Sequence, residues 1–94
     1  MKRFYVTLGA KSTAHGVVTT ATAPCTVNGV RVALEGDKVR CGSCKSEGTI
    51  RATWPRVSER WNGRQVALQG DECLCRCDPP PTLLASQKQL GQTV

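Results

Sequence analysis

Aromatic side chains are scarce in this sequence, which has one Phe, one Tyr and two Trp among its 94 residues. A chain of this length buries only about 60–65% of the surface that its unfolded form exposes. Because few large side chains are available to fill a limited core, we expect a small domain that needs disulfides or a structural metal for stability. The six cysteines supply the sulfur atoms for either solution.

Groups suited to catalysis are also few. His15 is the only histidine, and nothing near it in the sequence supports a nucleophile–base pair with a cysteine. Paired carboxylates, a phosphate-binding loop and a nucleotide-binding fingerprint are all missing. The C-x-x-C motif at residues 41–44 lacks the βαβ context of a thioredoxin-like redox motif. We therefore expect that the protein is not an enzyme.

Long hydrophobic runs are missing as well. The first residues are basic, but Thr7 interrupts the short apolar stretch that follows and Lys11 ends it. This pattern predicts neither a signal peptide nor a transmembrane span. Outside an oxidising compartment, clustered cysteines more often bind metal than form disulfides. We therefore favour a metal, with a disulfide-stapled secreted protein as the alternative.

Positive charge is present but dispersed. The net charge is +6, yet the longest run of basic residues has two members, at Lys2 and Arg3. No aromatic side chains are interleaved with basic ones as a stacking platform. The composition predicts a solvated, moderately basic surface without a specific nucleic-acid partner.

A repeated unit is the most informative feature that is present. Residues 27–41 (VNGVRVALEGDKVRC) recur as residues 61–75 (WNGRQVALQGDECLC), with eight of the fifteen positions identical. Asn-Gly between β-prone runs favours the type I′ turn of an antiparallel hairpin. We therefore predict an all-β fold with hairpins turning at Asn28-Gly29 and Asn62-Gly63.

Two other pairs of equivalent positions carry structural expectations. Ala33 and Ala67 point away from the apolar face of their strands, which suggests that this face lies close to another backbone; the alternative is an alanine on an ordinary exposed surface. Gly36-Asp37 and Gly70-Asp71 read as tight turns in which each aspartate bonds a downstream backbone N–H.

The chain reads as one domain, residues 1–94. Residues 1–8 are a lead-in, and residues 88–94 are expected to be a frayed tail. Residues 9–22 are interpreted as a degenerate third element, with a polar turn at His15-Gly16 before a β-prone run.

Five of the cysteines lie in two groups near the ends of the two repeats. The first group is Cys41 and Cys44, and the second is Cys73, Cys75 and Cys77, with Cys75 aligned to Cys41. If the hairpins lie side by side, these ends meet, and soft sulfur and histidine ligands suit tetrahedral Zn²⁺. We predict a zinc site formed by His15, Cys41, Cys44 and Cys75, with Cys77 as the alternative fourth ligand.

The remaining cysteines, Cys25 and Cys73, have no predicted ligand role. Cys25 is interpreted as a small buried thiol. Cys73 is interpreted as a spare thiol or a partner of Cys25.

The whole pattern resembles the PAAR-repeat proteins, which form the tips of type VI secretion spikes. The likeness covers roughly residues 8–87 and depends on two in-register copies of Asn-Gly-x-x-Val-Ala-x-x-Gly-Asp-x-x-x-Cys. The signature tetrad itself differs, because Pro-Ala-Ala-Arg reads Arg-Val-Ala-Leu at residues 31–34 and Gln-Val-Ala-Leu at residues 65–68. The family's His-Gly-Gly aligns its histidine with Ala14, one position from His15.

The resemblance implies a small cone of short β-hairpins with a pseudo-threefold base and a zinc ion near its point. It implies that the base caps the trimeric valine-glycine-repeat spike protein, VgrG, and that a separate effector is delivered as cargo. Such a protein is cytoplasmic in the producing bacterium and, after firing, contacts a membrane transiently and reaches the extracellular space or target cell. The alternative function is a zinc-ribbon-like module that binds nucleic acid.

Overall fold

The computed structural model describes residues 2–93, and within them every regular element is a β-strand. The ten strands are short and are joined by turns and irregular segments. They are β1 (Lys2–Phe4), β2 (Val17–Val18), β3 (Thr26–Val27), β4 (Val30–Arg31), β5 (Lys38–Arg40), β6 (Glu47–Arg51), β7 (Arg60–Trp61), β8 (Arg64–Gln65), β9 (Glu72–Leu74) and β10 (Gly91–Thr93). The predicted all-β fold class is confirmed.

Both predicted hairpins are present. β3 pairs antiparallel with β4, and β7 pairs antiparallel with β8. The Asn28-Gly29 turn has φ angles of 53° and 78°, and the Asn62-Gly63 turn has 54° and 76°. Two successive positive φ angles are the type I′ geometry, which these dipeptides adopt at little steric cost.

A closed ring of three backbone segments lies at the centre of the fold. Residues 5–7, 32–34 and 66–68 are joined in a cycle by the antiparallel bridges Tyr5↔Leu68, Thr7↔Val32 and Leu34↔Val66. The middle residues complete a second cycle, in which Val6 N–H donates to the Ala67 carbonyl (3.0 Å), Ala67 N–H to Ala33 (3.0 Å) and Ala33 N–H to Val6 (2.9 Å). The three segments are therefore related by pseudo-threefold symmetry.

This ring confirms that Ala33 and Ala67 lie against another backbone. It also places the third copy of the repeat earlier in the chain than the sequence predicted. Ala33 and Ala67 are fully buried where the backbones of the ring meet. The third side begins at Tyr5, earlier than the predicted element at residues 9–22. Its Val6 occupies the alanine position, and this substitution hides the repeat in the sequence.

A glycine turn follows each side of the ring. Gly9, Gly36 and Gly70 have φ angles of 83°, 89° and 89°, which confirms the tight turns predicted for the second and third of these positions. Asp37 and Asp71 bond upstream rather than downstream, because their carboxylates accept the N–H groups of Leu34 (2.7 Å) and Leu68 (2.8 Å). The donor in each turn is therefore a backbone N–H of the ring, three residues before the aspartate.

β1 and β10, from opposite ends of the chain, form a third antiparallel strand pair. β1 pairs antiparallel with β10, with Phe4 opposite Gly91 and Lys2 opposite Thr93. The segment expected as a frayed tail therefore contains a paired strand, and the expected lead-in contains both β1 and one side of the ring. No Asn-Gly turn joins these strands, so local sequence gives no sign of the pairing; Met1 and Val94 lie outside the described residues.

The ring separates two apolar clusters because neighbouring residues of an extended segment point to opposite faces. On one face, Val6, Ala33 and Ala67 pack with residues of the four-stranded sheet; the other members of this cluster are Ala10, Val18, Val39, Ile50, Cys73 and Leu83. On the opposite face, Val32, Leu34, Val66 and Leu68 pack with Ala23 and with Val27 of β3. The sheet and the β3–β4 hairpin thus lie on opposite sides of the ring.

The four-stranded sheet has the order β2-β5-β6-β9 and is closed on itself. Its edge strand β9 bridges Thr82 through Glu72, Leu83 bridges Ser12, and Lys11 bridges Val17 of β2. Both edges of the sheet are therefore paired, which removes the exposed edge that would invite aggregation. The loops that carry Cys41, Cys44, Cys75 and Cys77 emerge from the strands of this sheet.

Within the described residues, no helix is long and apolar enough to cross a membrane.

Candidate metal centre

Four cysteines meet where the strands of the closed sheet end. Cys41 follows β5, Cys44 lies in the loop before β6, and Cys75 and Cys77 follow β9. Their four sulfur atoms all lie within 4.8 Å of one another, and the pair Cys41–Cys77 is 3.6 Å apart. A zinc–sulfur bond of about 2.3 Å in a tetrahedron places the sulfur atoms about 3.8 Å apart. The cluster therefore has the donor type and spacing to hold a metal ion.

The loop of the C-x-x-C motif is held by its own backbone. The Cys41 N–H donates to the carbonyl of Ser46 (2.9 Å), and Lys45 has a positive φ of 55°. The hydroxyl of Ser46 lies 2.9 Å from the Cys44 sulfur. This tight turn brings Cys44 back toward Cys41, as the motif spacing predicts.

The third side of the fold reaches the cluster through its backbone. Ser43 N–H donates to the carbonyl of Ala14 (3.1 Å). A Cβ atom added to Gly42 would lie 2.4 Å from the carbonyl oxygen of His15. Gly42 is therefore needed because the His15 backbone passes too close for any side chain at that position.

The structure brings together Cys41, Cys44 and Cys75, and it adds Cys77, the predicted alternative ligand. His15 is exposed and is not part of the group of clustered donor atoms. Counted from the glycine turns, the position equivalent to Cys41 and Cys75 on the third side is Ala14. Alanine offers no ligand atom, so the sides at residues 32–34 and 66–68 supply two sulfur atoms each.

Two of the clustered thiols, Cys44 and Cys77, differ in acidity because their hydrogen bonds differ. The bond from Ser46 lowers the pKa of Cys44 to about 5, so this sulfur is favoured as a thiolate. The hydrogen bond with Cys41 raises the pKa of Cys77 to about 12, so this sulfur is favoured as a thiol. Several adjacent thiolates repel one another, and a bound cation is what allows them to ionise together.

The remaining cysteines lie apart from each other. Cys73 is fully buried in the cluster on the sheet side of the ring, and burial raises its pKa to about 12. Cys25 is half-buried and packs against the cluster on the opposite side. The pairing of Cys73 with Cys25, one of the two interpretations from the sequence, is therefore wrong: the ring separates the two residues, and all six cysteines are free thiols.

Three residues that shape this centre have no recognisable signal in the sequence. Ser46 contacts the Cys44 sulfur, Gly42 accommodates the His15 backbone, and Ala14 anchors Ser43. A serine often follows a cysteine by two residues, and a glycine often lies inside C-x-x-C. Neither spacing therefore reveals that Ser46 contacts the Cys44 sulfur or that Gly42 faces the His15 backbone.

Comparison with known protein families gives one match. The model described as the PAAR motif matches residues 8–78, which is more than half of the chain. Searches against curated proteins and against solved structures returned no match. The matched span includes two sides of the ring, both Asn-Gly hairpins and all four clustered cysteines.

Proposed function

The chain belongs to the PAAR family, whose members are structural proteins with a small conical β fold, and we propose that it caps the trimeric VgrG spike of a type VI secretion system. The observation that carries this proposal is the closed ring of three hydrogen-bonded segments around one axis. A single chain has no exact threefold symmetry, yet this ring offers three similar sides. That arrangement suits a partner that presents three identical subunits around its own axis.

Three antiparallel strand pairs, two of them hairpins, are the parts that we expect to face the spike. They are β3–β4, β7–β8 and the pair β1–β10, and the ring separates the first of them from the sheet that carries the cysteines. Short strands at such a base can extend the pairing of strand ends in a trimeric β-prism, which is a form of β-augmentation. The cysteine cluster then lies at the opposite, leading end.

We propose that the cysteine cluster holds Zn²⁺ through Cys41, Cys44, Cys75 and Cys77. Four soft sulfur donors within 4.8 Å of one another favour zinc over magnesium or calcium, which prefer oxygen. With four protein ligands the ion would have a structural role, cross-linking two loops. Cys41 and Cys44 anchor the loop between β5 and β6, and Cys75 and Cys77 anchor the chain after β9.

This cross-link lies where side-chain packing can contribute least. The apolar cluster on the sheet side consists mostly of small and medium side chains, and Cys75 packs against it. Cys75 also belongs to the group of four sulfur atoms, so the proposed metal site adjoins this cluster. A metal there would keep the leading end rigid during transient contact with a target membrane, while any toxic activity belongs to a separate effector cargo.

The experiment is co-expression of the chain with the VgrG protein of the same secretion system. A spike cap forms a complex that survives size-exclusion chromatography at high salt. A nucleic-acid-binding module would instead bind DNA or RNA with an affinity that falls steeply as salt rises. Failure to bind VgrG, together with such salt-dependent binding, would contradict the proposal and favour the zinc-ribbon-like alternative.

A further inference from the structure

A pocket of about 510 Å³ opens beside β1, between that strand and the loop that follows β6. None of the four clustered cysteines lines it. Its walls are mainly apolar or backbone, and its rim carries positive charge; the lining residues are Lys2, Arg3, Thr53, Trp54, Pro55, Gln69 and Gly70. The features of this pocket are not explained by the metal centre or by the ring.

The Trp54 indole is exposed, yet its loop is firmly held. Trp54 is 65% exposed, the highest value among the large apolar residues of the described chain. The Arg3 guanidinium donates to the carbonyls of Thr53 (3.2 Å) and Pro55 (2.9 Å), on either side of Trp54. The Arg56 guanidinium lies 5.9 Å from the Trp54 ring centroid. An exposed tryptophan on a fixed loop is the type of residue that anchors protein–protein contacts.

An excess of buried positive charge lies next to this loop. The fully buried Asp71 carboxylate pairs with both Arg3 and Arg56, each at 2.9 Å. Two guanidinium groups therefore share one carboxylate, and Nε and Nη1 of Arg56 have no partner in the part of the chain that the structure describes. Desolvation lowers the pKa of Arg56, as expected for a buried cation whose charge is not fully compensated. Arg56 does not line the pocket, so its charge acts on the pocket only at a distance.

The side of the fold that contains Asp37 lacks this arrangement. Asp37, which is equivalent to Asp71, has a single arginine partner, Arg64. The segment that bonds Asp37 reads Thr-Ala-Pro at residues 22–24, where the segment at Asp71 reads Thr-Trp-Pro, and Ala23 is fully buried. The pair of arginines on one carboxylate, next to an exposed tryptophan, is therefore not shared by the Asp37 side.

We propose that this pocket binds an extended acidic segment of a partner protein, with an apolar side chain against Trp54 and Pro55 and a carboxylate beside Lys2. A protein segment fits better than a phosphate group because each guanidinium nitrogen of Arg3 already donates to protein acceptors. Arg3 therefore has no free edge for bidentate phosphate binding. Lys2 is exposed and supplies the charge that remains available. The pocket lies beside β1, one of the strands expected to face the spike, but its test uses the isolated chain and does not depend on the spike-capping role.

The test uses two synthetic peptides, acetyl-Leu-Asp-Leu-Glu-amide and its neutral counterpart acetyl-Leu-Asn-Leu-Gln-amide. Each is titrated into the zinc-loaded, isotope-labelled full chain while amide and indole signals are followed by NMR. We expect the acidic peptide to shift the Trp54 indole and Gly70 amide signals saturably. The neutral peptide should bind about tenfold more weakly.

Two variants and two matched controls complete the test. Trp54→Ala should weaken binding of the acidic peptide at least about tenfold, and Lys2→Gln should remove most of the preference for it. Leu84→Ala and Lys88→Gln, which change exposed residues outside the pocket, should leave binding unchanged. Equal binding of the two peptides, or unchanged binding by a folded Trp54→Ala protein, would overturn the proposal.

Discussion

The sulfur atoms of Cys41 and Cys77 lie 3.6 Å apart, although the two residues follow different strands, β5 and β9. Cys41 and Cys75 occupy the same position of the repeated unit, but Cys77 aligns with Ser43 and Cys44 aligns with Asp78. Each copy of the repeated unit thus supplies its second sulfur atom from a different aligned position. The centre has two related ligands and two unrelated ones, and the repeat alone accounts only for the first two.

Cys77→Ser should remove the metal. The substitution replaces one of four soft sulfur donors with a serine oxygen. The free energy of zinc binding to a structural site is about 10–16 kcal/mol and depends on the complete ligand set. We expect less than half of the wild-type zinc content by elemental analysis, with a matching loss of thermal stability. Cys41→Ser, Cys44→Ser and Cys75→Ser should behave alike.

Cys25→Ser is the matched control, because Cys25 lies on the opposite side of the ring from the cluster. It should keep its full zinc content. A zinc loss equal to that of Cys77→Ser would contradict the four-cysteine assignment.

His15→Ala decides between the ligand set predicted from the sequence and the one that the structure favours. His15 is exposed, and the structure relates it to the cluster through its backbone carbonyl, which alanine retains. We expect this variant to bind one zinc per chain. If it loses as much zinc as Cys44→Ser, then the histidine is a ligand and Cys77 is not.

Ala33→Leu should destabilise the fold by disrupting the ring. Ala33 is fully buried and its N–H donates to Val6 at 2.9 Å, so a larger side chain must push ring segments apart. Overpacking of this kind costs about 1–3 kcal/mol of unfolding free energy. Urea unfolding of the zinc-loaded protein measures this loss of unfolding free energy. Ala85→Leu, at a half-buried position outside the ring, should change the free energy far less.

Gln92→Ala tests whether β10 is an integral part of the fold. The Gln92 side chain is buried; it accepts the N–H of Val57 (2.9 Å) and donates to the Val57 carbonyl (2.7 Å). Each of these part-buried hydrogen bonds contributes about 0.5–1.5 kcal/mol to the free energy of unfolding, so losing both costs about 1–3 kcal/mol. Gln89→Ala, at an exposed position nearby, serves as the control in the same unfolding measurement. Equal stability of the two variants would mean that the C-terminal tail is frayed after all.

Local sequence predicted the features that depend on local conformation. Asn-Gly between two β-prone runs strongly favours a type I′ turn. The hairpins at Asn28-Gly29 and Asn62-Gly63 could therefore be predicted without knowledge of the rest of the fold. Ala33 and Ala67 could be assigned to a backbone contact because the same small residue recurs at the same position. In each case the physical constraint acts within a few residues.

Features that depend on distant contacts could not be predicted. The pairing of β1 with β10 joins the two ends of the chain and has no turn sequence to mark it. Val6 replaces the alanine of the other two sides, so the third copy of the repeat escaped detection. Arg3, which bonds Asp71 across 68 residues, looked like one scattered surface charge and is buried. Pseudo-symmetry in space can persist where the residue identities that reveal it have changed.

Native mass spectrometry of the complex with VgrG tests the central claim most directly. A cap on a pseudo-threefold axis predicts one copy of this chain, carrying one zinc ion, for every three VgrG subunits. Three copies per trimer would mean that each subunit binds its own copy, so the ring would not lie on the spike axis. That stoichiometry, or the absence of any complex, would contradict the account.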